Sequence, residues 1–326
     1  MYPDGADGRG GGLSQRSAWA NVAERGSLRA LALLRGWYRL LGRRASVALL
    51  LPIVAYFFVT GRGSRLASRE YLETLWATPE GRARLRQPPR TLDVFRHLFA
   101  FAENLLDRMI LWSGDVSSIR IDNRGRELVD ELVREGRGAI LLSSHLGSFD
   151  MLRELSAQTG IVLNVLMFTR HAVVINSFFE KLQAGRNLRL IRVEPGSLGA
   201  AFEMRAALQR GEFVGILGDR IWPSEEHRTV TVSFLGRPAR FPLGPYLLQG
   251  VLGCPMLLTT CVRSGPARYT ATTQRFAPAG VVARSERAKH AEECAQRFAA
   301  RLERGCVERP FQWFNFFEFW RSAEDD

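Results

Sequence analysis

Strand and helix patterns alternate along the chain from residue 126 onward, and this alternation constrains the fold more than any other feature. The pattern predicts a buried strand at 139–144 and further strands at 161–168, 188–194 and 212–219. Residues 228–236 are expected to form a strand or a hairpin arm, and 255–263 and 268–276 are rich in β-forming residues. Amphipathic stretches, several of them closed by glycine, predict helices at 126–138, 149–160, 178–186, 197–211, 244–253 and 285–305. Such alternation predicts an α/β domain with a mixed, mostly parallel sheet flanked by helices.

A basic and then apolar region precedes this domain. Residues 27–44 carry apolar side chains at helical spacing with arginines between them, which is typical of a helix lying on an anionic membrane. Residues 45–60 contain no charge but are short for a spanning helix, and Pro52 favours a kink or break. We expect a monotopic membrane anchor over 27–60. A single span, or a helix packed on the protein's own core, is the alternative.

Charge and cysteine usage narrow the function classes. The net charge is +12, and residues 1–90 hold fifteen arginines against six acidic residues, which favours an acidic surface as partner. The arginines flank an apolar segment and lack interleaved aromatics, so we expect anionic lipid and no nucleic acid. The four cysteines and five histidines form no metal motif, which predicts reduced structural thiols and neither metal nor cofactor.

The same patterns divide the chain. We expect a disordered lead over 1–26, the anchor over 27–60, a basic linker with a helix inside it over 61–90, the main domain over 91–322 and an acidic tail over 323–326. Within the main domain, residues 91–112 have the spacing of a long helix that packs on it.

The stretch HLGSFD follows directly after the strand at 139–144. It places His145 in a turn at the carboxyl edge of the sheet, where open α/β folds keep their chemistry, and Asp150 in the first turn of a helix. An aspartate that accepts from one ring nitrogen leaves the other free as a general base. The backbone N–H groups of Gly147 and Ser148 could stabilise developing negative charge. Ordinary helix capping by Ser148 and Asp150 is the alternative.

These residues and three later blocks resemble one known superfamily. HLGSFD resembles the H-x4-D/E signature of the glycerolipid and lipid A acyltransferases. MFTRHAVVINSFFEKLQ, LQRGEFVGILGDR and VSFLGRPARFPLGPYLLQGVLGCPML resemble its later blocks, and the likeness covers roughly residues 90–320. The closing PFQWFNFFEFW is similar to the branch found beside aryl-polyene pigment genes. One departure is Asp219-Arg220, where the lipid A enzymes commonly have Asp-Gln.

The resemblance implies roles for individual residues. His145 would be the general base and Asp150 the carboxylate that orients it. Arg170 would bind an anionic group of the substrate, unless it is a solvated surface arginine.

The later blocks imply substrate contacts. Asp219 and Arg220 would meet donor or acceptor, although a structural salt bridge between them is an equal alternative. Phe234 and Gly236 would shape the groove for the acyl chain.

The function implied is acyl transfer at the cytoplasmic face of a bacterial inner membrane. The acyl group, fatty or polyene, would move from a thioester on acyl carrier protein, or on coenzyme A, to a hydroxyl or amine of a lipid or glycolipid acceptor. Two alternatives are a non-enzymatic basic module that binds membrane lipid and an acyl-coenzyme-A-dependent lysophospholipid acyltransferase.

Overall fold

The structure, a computed structural model, describes residues 28–112, 115–149, 151, 160–168, 187–193, 199–221 and 228–320. The lead over 1–26, the acidic tail, most of the helix predicted at 149–160 and the helix predicted at 178–186 lie outside these residues. Disorder of the lead and the boundaries between segments therefore stay predictions.

Within the described residues, nine strands form one large sheet and one hairpin. Their bounds are β1 Arg120–Arg124, β2 Ile140–Ser143, β3 Leu163–Phe168, β4 Leu188–Val193, β5 Phe213–Leu217, β6 Thr229–Phe234, β7 Arg237–Pro242, β8 Met256–Gly265 and β9 Arg268–Ala277. The large sheet has the order β1-β9-β8-β2-β5-β3-β4, and only the β8–β9 pair in it is antiparallel. The predicted mixed, mostly parallel α/β sheet is confirmed.

Helices precede and flank this sheet. Their described bounds are α1 Leu28–Thr60, α2 Arg62–Ala77, α3 Pro79–Leu85, α4 Thr91–Trp112, α5 Arg126–Arg134, α6 Gly199–Gln209, α7 Gly244–Leu252 and α8 Arg287–Glu308. Helix α4 has the predicted bounds, and α5 ends just before Gly136, whose φ of 65° stops it. The last long helix, α8, contributes seven buried side chains to the core.

Helix α1 is interrupted at Gly42, which has a non-helical φ of 73°. The Ser46 hydroxyl donates to the Gly42 carbonyl at 2.9 Å, so one carbonyl freed at this kink still has a partner. The chain does not break at Pro52, because the helix continues through Pro52 to Thr60 and its non-helical residue is Gly42. A proline removes one backbone donor, and the surrounding turns hold the helix without it.

One face of α1 docks on α4 and the other is exposed. Arg43 donates from Nε to the buried Asp107 carboxylate at 2.9 Å, and the Tyr269 hydroxyl donates to the same carboxylate at 2.9 Å. On the open face the side chains of Leu51, Tyr56 and Phe57 are exposed. Residues 36–60 are long and apolar enough to cross a membrane by length and composition.

The segment between this helix and α4 is mostly helical. Helices α2 and α3 occupy it, and Tyr71, Leu72 and Leu75 of α2 are completely buried in the main core. The predicted basic linker therefore packs its apolar side chains against the rest of the protein.

The main core contains a cluster of aromatic rings beside the sheet. Phe234 at the end of β6 packs against Trp313, Phe241, Phe319 and Trp320, with ring centroids 5.2 to 6.0 Å apart. The closing aromatic segment thus packs inside the domain. The four cysteines are free and buried, as expected of structural thiols.

Candidate active site

The site is built where two neighbouring parallel strands end. Strands β2 and β5 are paired so that Ser143 lies beside Leu217. His145 and Asp219 each follow two residues after these positions, so the two chain exits bring both side chains to the carboxyl edge of the sheet. This is the edge at which the sequence places the chemistry.

Asp219 holds His145 by two hydrogen bonds. The Oδ1 atom is 2.8 Å from Nδ1 of the imidazole, and Oδ2 accepts the backbone N–H of His145 at 2.8 Å. The carboxylate is fully buried, whereas a quarter of the histidine side chain is exposed. Because an ionised carboxylate only accepts hydrogen bonds, Nδ1 carries the proton and Nε2 presents its lone pair.

The charges around this pair favour a neutral imidazole and an ionised carboxylate. Burial, and the nearby Arg220 charge, lower the pKa of His145 below its ordinary value, although Asp219 opposes this. Burial alone would raise the pKa of Asp219, but His145, Arg220 and Trp313 together lower it to about 2. At neutral pH the imidazole is therefore ready to accept a proton.

Arg220 lies buried beside the pair. Burial lowers its pKa to about 10, so the guanidinium still carries its charge. It donates from one terminal nitrogen to the Phe314 carbonyl at 2.7 Å and stacks over the Phe317 ring at 5.4 Å. Its Nε has no hydrogen-bond partner within the described residues. Arg220 is thus a fixed positive charge next to the histidine, and its contact with a substrate stays a prediction.

The loop after His145 is fixed by backbone bonds. The N–H of Gly147 donates to the Gln312 carbonyl at 2.8 Å, and the N–H of Ser148 donates to the Cys261 carbonyl at 2.7 Å. Both donors are already bonded, so the expectation that they stabilise negative charge on a substrate does not fit this geometry. Gly147 has a φ of 77°, and a side chain there would overlap the Cys261 carbonyl, which explains the glycine.

A third chain segment completes the site from the carboxyl-terminal side. The indole N–H of Trp313 donates to Oδ2 of Asp219 at 3.0 Å, and the N–H of Phe314 donates to the His145 carbonyl at 3.1 Å. The fully buried His97 of α4 holds the Trp313 carbonyl through Nε2 at 2.9 Å. Burial lowers the pKa of His97 to about 4, so its ring is neutral.

A model of the bacterial lipid A biosynthesis acyltransferase family matches residues 99–322, which include all three segments of the site. The chain belongs to this family. No curated protein matches the sequence significantly. Membership supports an acyltransferase with a lipid-like acceptor and an acyl donor, and family members are associated with membranes.

The other expected site residues of this acyltransferase have mixed outcomes. Asp150 and Arg170 lie outside the described residues, and their roles stay predictions. Phe234 is completely buried among aromatic rings, so the ring serves the core and offers no surface to an acyl chain. Gly236, with a φ of 77°, lies in the tight turn between β6 and β7. No group of three metal-binding side chains occurs in the part of the acyltransferase that the structure describes.

Sequence reasoning missed the partner role of Asp219 and did not single out Trp313 or His97. The only signal for Trp313 is its place in an aromatic segment that also carries the polar residues Gln312 and Asn315. A polar residue in an otherwise apolar run is a sign that a specific hydrogen bond is made there. His97 lies within a helix whose pattern predicts only packing.

Proposed function

We propose that this protein transfers an acyl group directly from a thioester to a hydroxyl of a lipid acceptor, with His145 as the general base. Nε2 of His145 takes the proton as the acceptor oxygen attacks the thioester carbonyl carbon. The tetrahedral intermediate then collapses, the carbon–sulfur bond breaks, and the imidazolium returns the proton to the departing thiolate. The reaction needs no covalent enzyme intermediate.

The observation that carries this proposal is the bond between Nδ1 of His145 and Asp219. It fixes the tautomer that leaves the Nε2 lone pair available on a neutral, partly exposed imidazole. The Arg220 charge beside it is suited to stabilise an oxyanion on the attacked carbonyl. Asp150, the carboxylate of the H-x4-D motif, would act on another part of this site, because Nδ1 is already bonded to Asp219.

Acyl carrier protein is the donor that we propose, because carrier proteins are acidic and the enzyme is basic. A groove between α8 and β9 is lined by Arg275, Arg297, Arg301 and Arg304, with Phe276 beneath Arg297 at 5.1 Å. The carboxyl-terminal part of α8 also approaches the site, since a side chain at Gly305 would overlap Leu146. The groove lies toward the amino edge of the sheet, because Arg275 pairs with Leu257 and Leu257 with Leu141. A carrier docked along α8 would therefore have to extend its thioester past Gly305 to reach His145.

The exposed apolar face of α1 supports membrane attachment at the cytoplasmic face of the inner membrane. Four of its apolar side chains between residues 53 and 59 are exposed, namely Ile53, Tyr56, Phe57 and Val59. A patch of this size without a protein partner is expected to contact lipid. Arginines on both sides of the apolar stretch favour an anchor whose two ends lie at the same face of the membrane.

The test is an acylation assay with purified protein in vesicles of bacterial lipid. Labelled fatty and aryl-polyenoic thioesters of acyl carrier protein and of coenzyme A are offered, and the labelled lipid is identified by mass spectrometry. We expect carrier-dependent transfer that His145→Ala lowers about 10²- to 10⁴-fold in a protein that still folds, as a cooperative melting curve would show. Preference for coenzyme A with a lysophospholipid acceptor would support the lysophospholipid acyltransferase instead, and lipid binding without transfer would support the non-enzymatic module.

A further inference from the structure

The buried carboxylate of Asp219 makes one bond that does not involve His145. Its Oδ2 accepts the indole N–H of Trp313 at 3.0 Å, in addition to the backbone N–H of His145 at 2.8 Å. Two donors on one oxygen fix the plane of the carboxylate. Oδ1 is then left facing Nδ1 of the imidazole at 2.8 Å.

The indole is itself held in place on every side that the structure describes. Its ring lies 5.0 Å from Tyr71, 5.0 Å from Phe319 and 5.2 Å from Phe234, all in edge-to-face contact. The backbone carbonyl of Trp313 is hydrogen-bonded to His97. The backbone groups of Gln312 and Phe314 are bonded to the loop that carries His145. The indole N–H therefore cannot leave Asp219 without moving the aromatic core.

We propose that Trp313 is a positioning residue for proton transfer at His145, acting through the orientation and charge of Asp219. This rests on the proposed function of His145 as the general base. One part of the active site thus lies in the aromatic segment after α8, far in sequence from the H-x4-D motif. Trp313 contacts neither substrate nor the free Nε2 of His145.

Removal of this N–H has two consequences that simple loss of packing does not have. The carboxylate still meets Nδ1 but is held less firmly in the plane in which Oδ1 faces it, which lowers the rate. A carboxylate with one donor fewer is also a stronger acceptor for the Nδ1 proton, so the pKa of His145 rises. The acid limb of the pH–rate profile then moves to higher pH.

Trp320 provides a matched control in the same core. It is as buried as Trp313 and packs against it and against Phe234, with centroids 6.2 and 6.0 Å away. Its indole Nε1 has no partner within the described residues. Trp313→Phe and Trp320→Phe therefore remove the same atoms from one cluster, but only the first removes a hydrogen bond to Asp219.

The experiment compares both variants with the full-length enzyme by acyl-transfer rate, pH profile and Tm, and measures the His145 pKa by NMR of isotope-labelled histidine. We expect Trp313→Phe to lower kcat roughly ten- to hundred-fold and to raise the pKa of His145. Trp320→Phe should lower Tm as much as Trp313→Phe does, but change neither kcat nor the pKa of His145. Assignment of the His145 signal uses His145→Gln, and the His97 signal should stay in place.

Equal kcat and equal His145 pKa in the two variants would overturn the positioning role and leave Trp313 a packing residue. If Trp313→Phe does not fold, replacement of Trp313 by benzothienylalanine keeps the ring shape and exchanges only N–H for sulfur, with the same two expected changes. The NMR titration needs no turnover, so failure of acyl transfer in the wild-type protein would remove the proposed function and still leave this inference tested.

Discussion

Asp219→Asn is the substitution that most sharply tests the arrangement around His145. The change keeps the size of the side chain and replaces one oxygen by an NH₂ group. Two N–H donors, from the His145 backbone and from Trp313, face Oδ2, whereas only Nδ1 faces Oδ1. The asparagine can therefore satisfy both donors only if its oxygen takes the Oδ2 position.

This orientation reverses the tautomer of His145. The NH₂ group then points at Nδ1, which must accept, and the imidazole proton moves to Nε2. The opposite orientation would leave two buried N–H groups without an acceptor, at roughly 1–3 kcal/mol each. The tautomer change is favoured by that difference, and Nε2 ceases to be a base. We expect kcat to fall about 10²- to 10⁴-fold, which corresponds to about 3–5 kcal/mol in the activation free energy.

The assay is single-turnover acyl transfer in vesicles, with ¹⁵N NMR of the imidazole to identify the protonated nitrogen. Asp122→Asn on β1 is the control, because Asp122 is an exposed carboxylate paired with Arg124. Strand β1 is three strands away from β2, which leads to His145, in the sheet order. Loss of the negative charge also lowers the pKa of His145, opposite in direction to Trp313→Phe. A rate within threefold of wild type, or an imidazole that keeps its proton on Nδ1, would refute the reasoning.

Three further predictions concern stability, the membrane and the donor. His97 has a pKa of about 4 in the folded protein against 6.5 as its ordinary value, so the folded state binds fewer protons between these limits. The contribution of His97 to the free energy of unfolding should be fully present above pH 6.5 and fall by about 3 kcal/mol as the pH drops to 4. Urea unfolding of His97→Gln should not show this dependence on pH. Phe57→Glu on the exposed face of α1 should weaken vesicle flotation, while Phe202→Glu, at an even more exposed phenylalanine on α6, should not. Arg301→Glu should raise KM for a carrier-protein thioester several-fold but not for a coenzyme A thioester, and Arg205→Glu should change neither.

The fold could be predicted where the periodicity is strong. The buried strands β2 and β5 have continuous apolar runs, and α4 has an uninterrupted helical pattern. Strand β1, with the sequence RIDNR, was not predicted, because an edge strand exposed on alternate residues has no apolar run to mark it. The interruption of α1 lies at Gly42, whereas the sequence pointed to Pro52. A glycine has no Cβ and can therefore adopt a positive φ without steric cost.

The site was predictable only as far as local pattern reaches. The position of His145 after an apolar strand identifies it as an edge residue, and the same argument applies separately to Asp219. That the two meet depends on β5 lying next to β2 in the sheet, with β3 and β4 placed beyond it. Strand order is set by how the crossovers pack, which no motif spacing records. Asp150 was favoured because it is close in sequence, whereas the carboxylate that reaches Nδ1 lies 74 residues away.

The place of Trp313 in the same site follows from a further step of this kind. Residues 312–314 follow α8 and bond to the loop that carries His145 at both His145 and Gly147. The orientation of the imidazole therefore depends on a segment far from it in sequence. The aromatic cluster around Trp313 then has two functions at once, because its packing keeps the indole N–H on Asp219. A substitution in this cluster can therefore lower activity through Asp219 with little loss of stability, or lower stability with little loss of activity. Which of the two occurs depends on whether the hydrogen bond survives, and not on how much apolar area is removed.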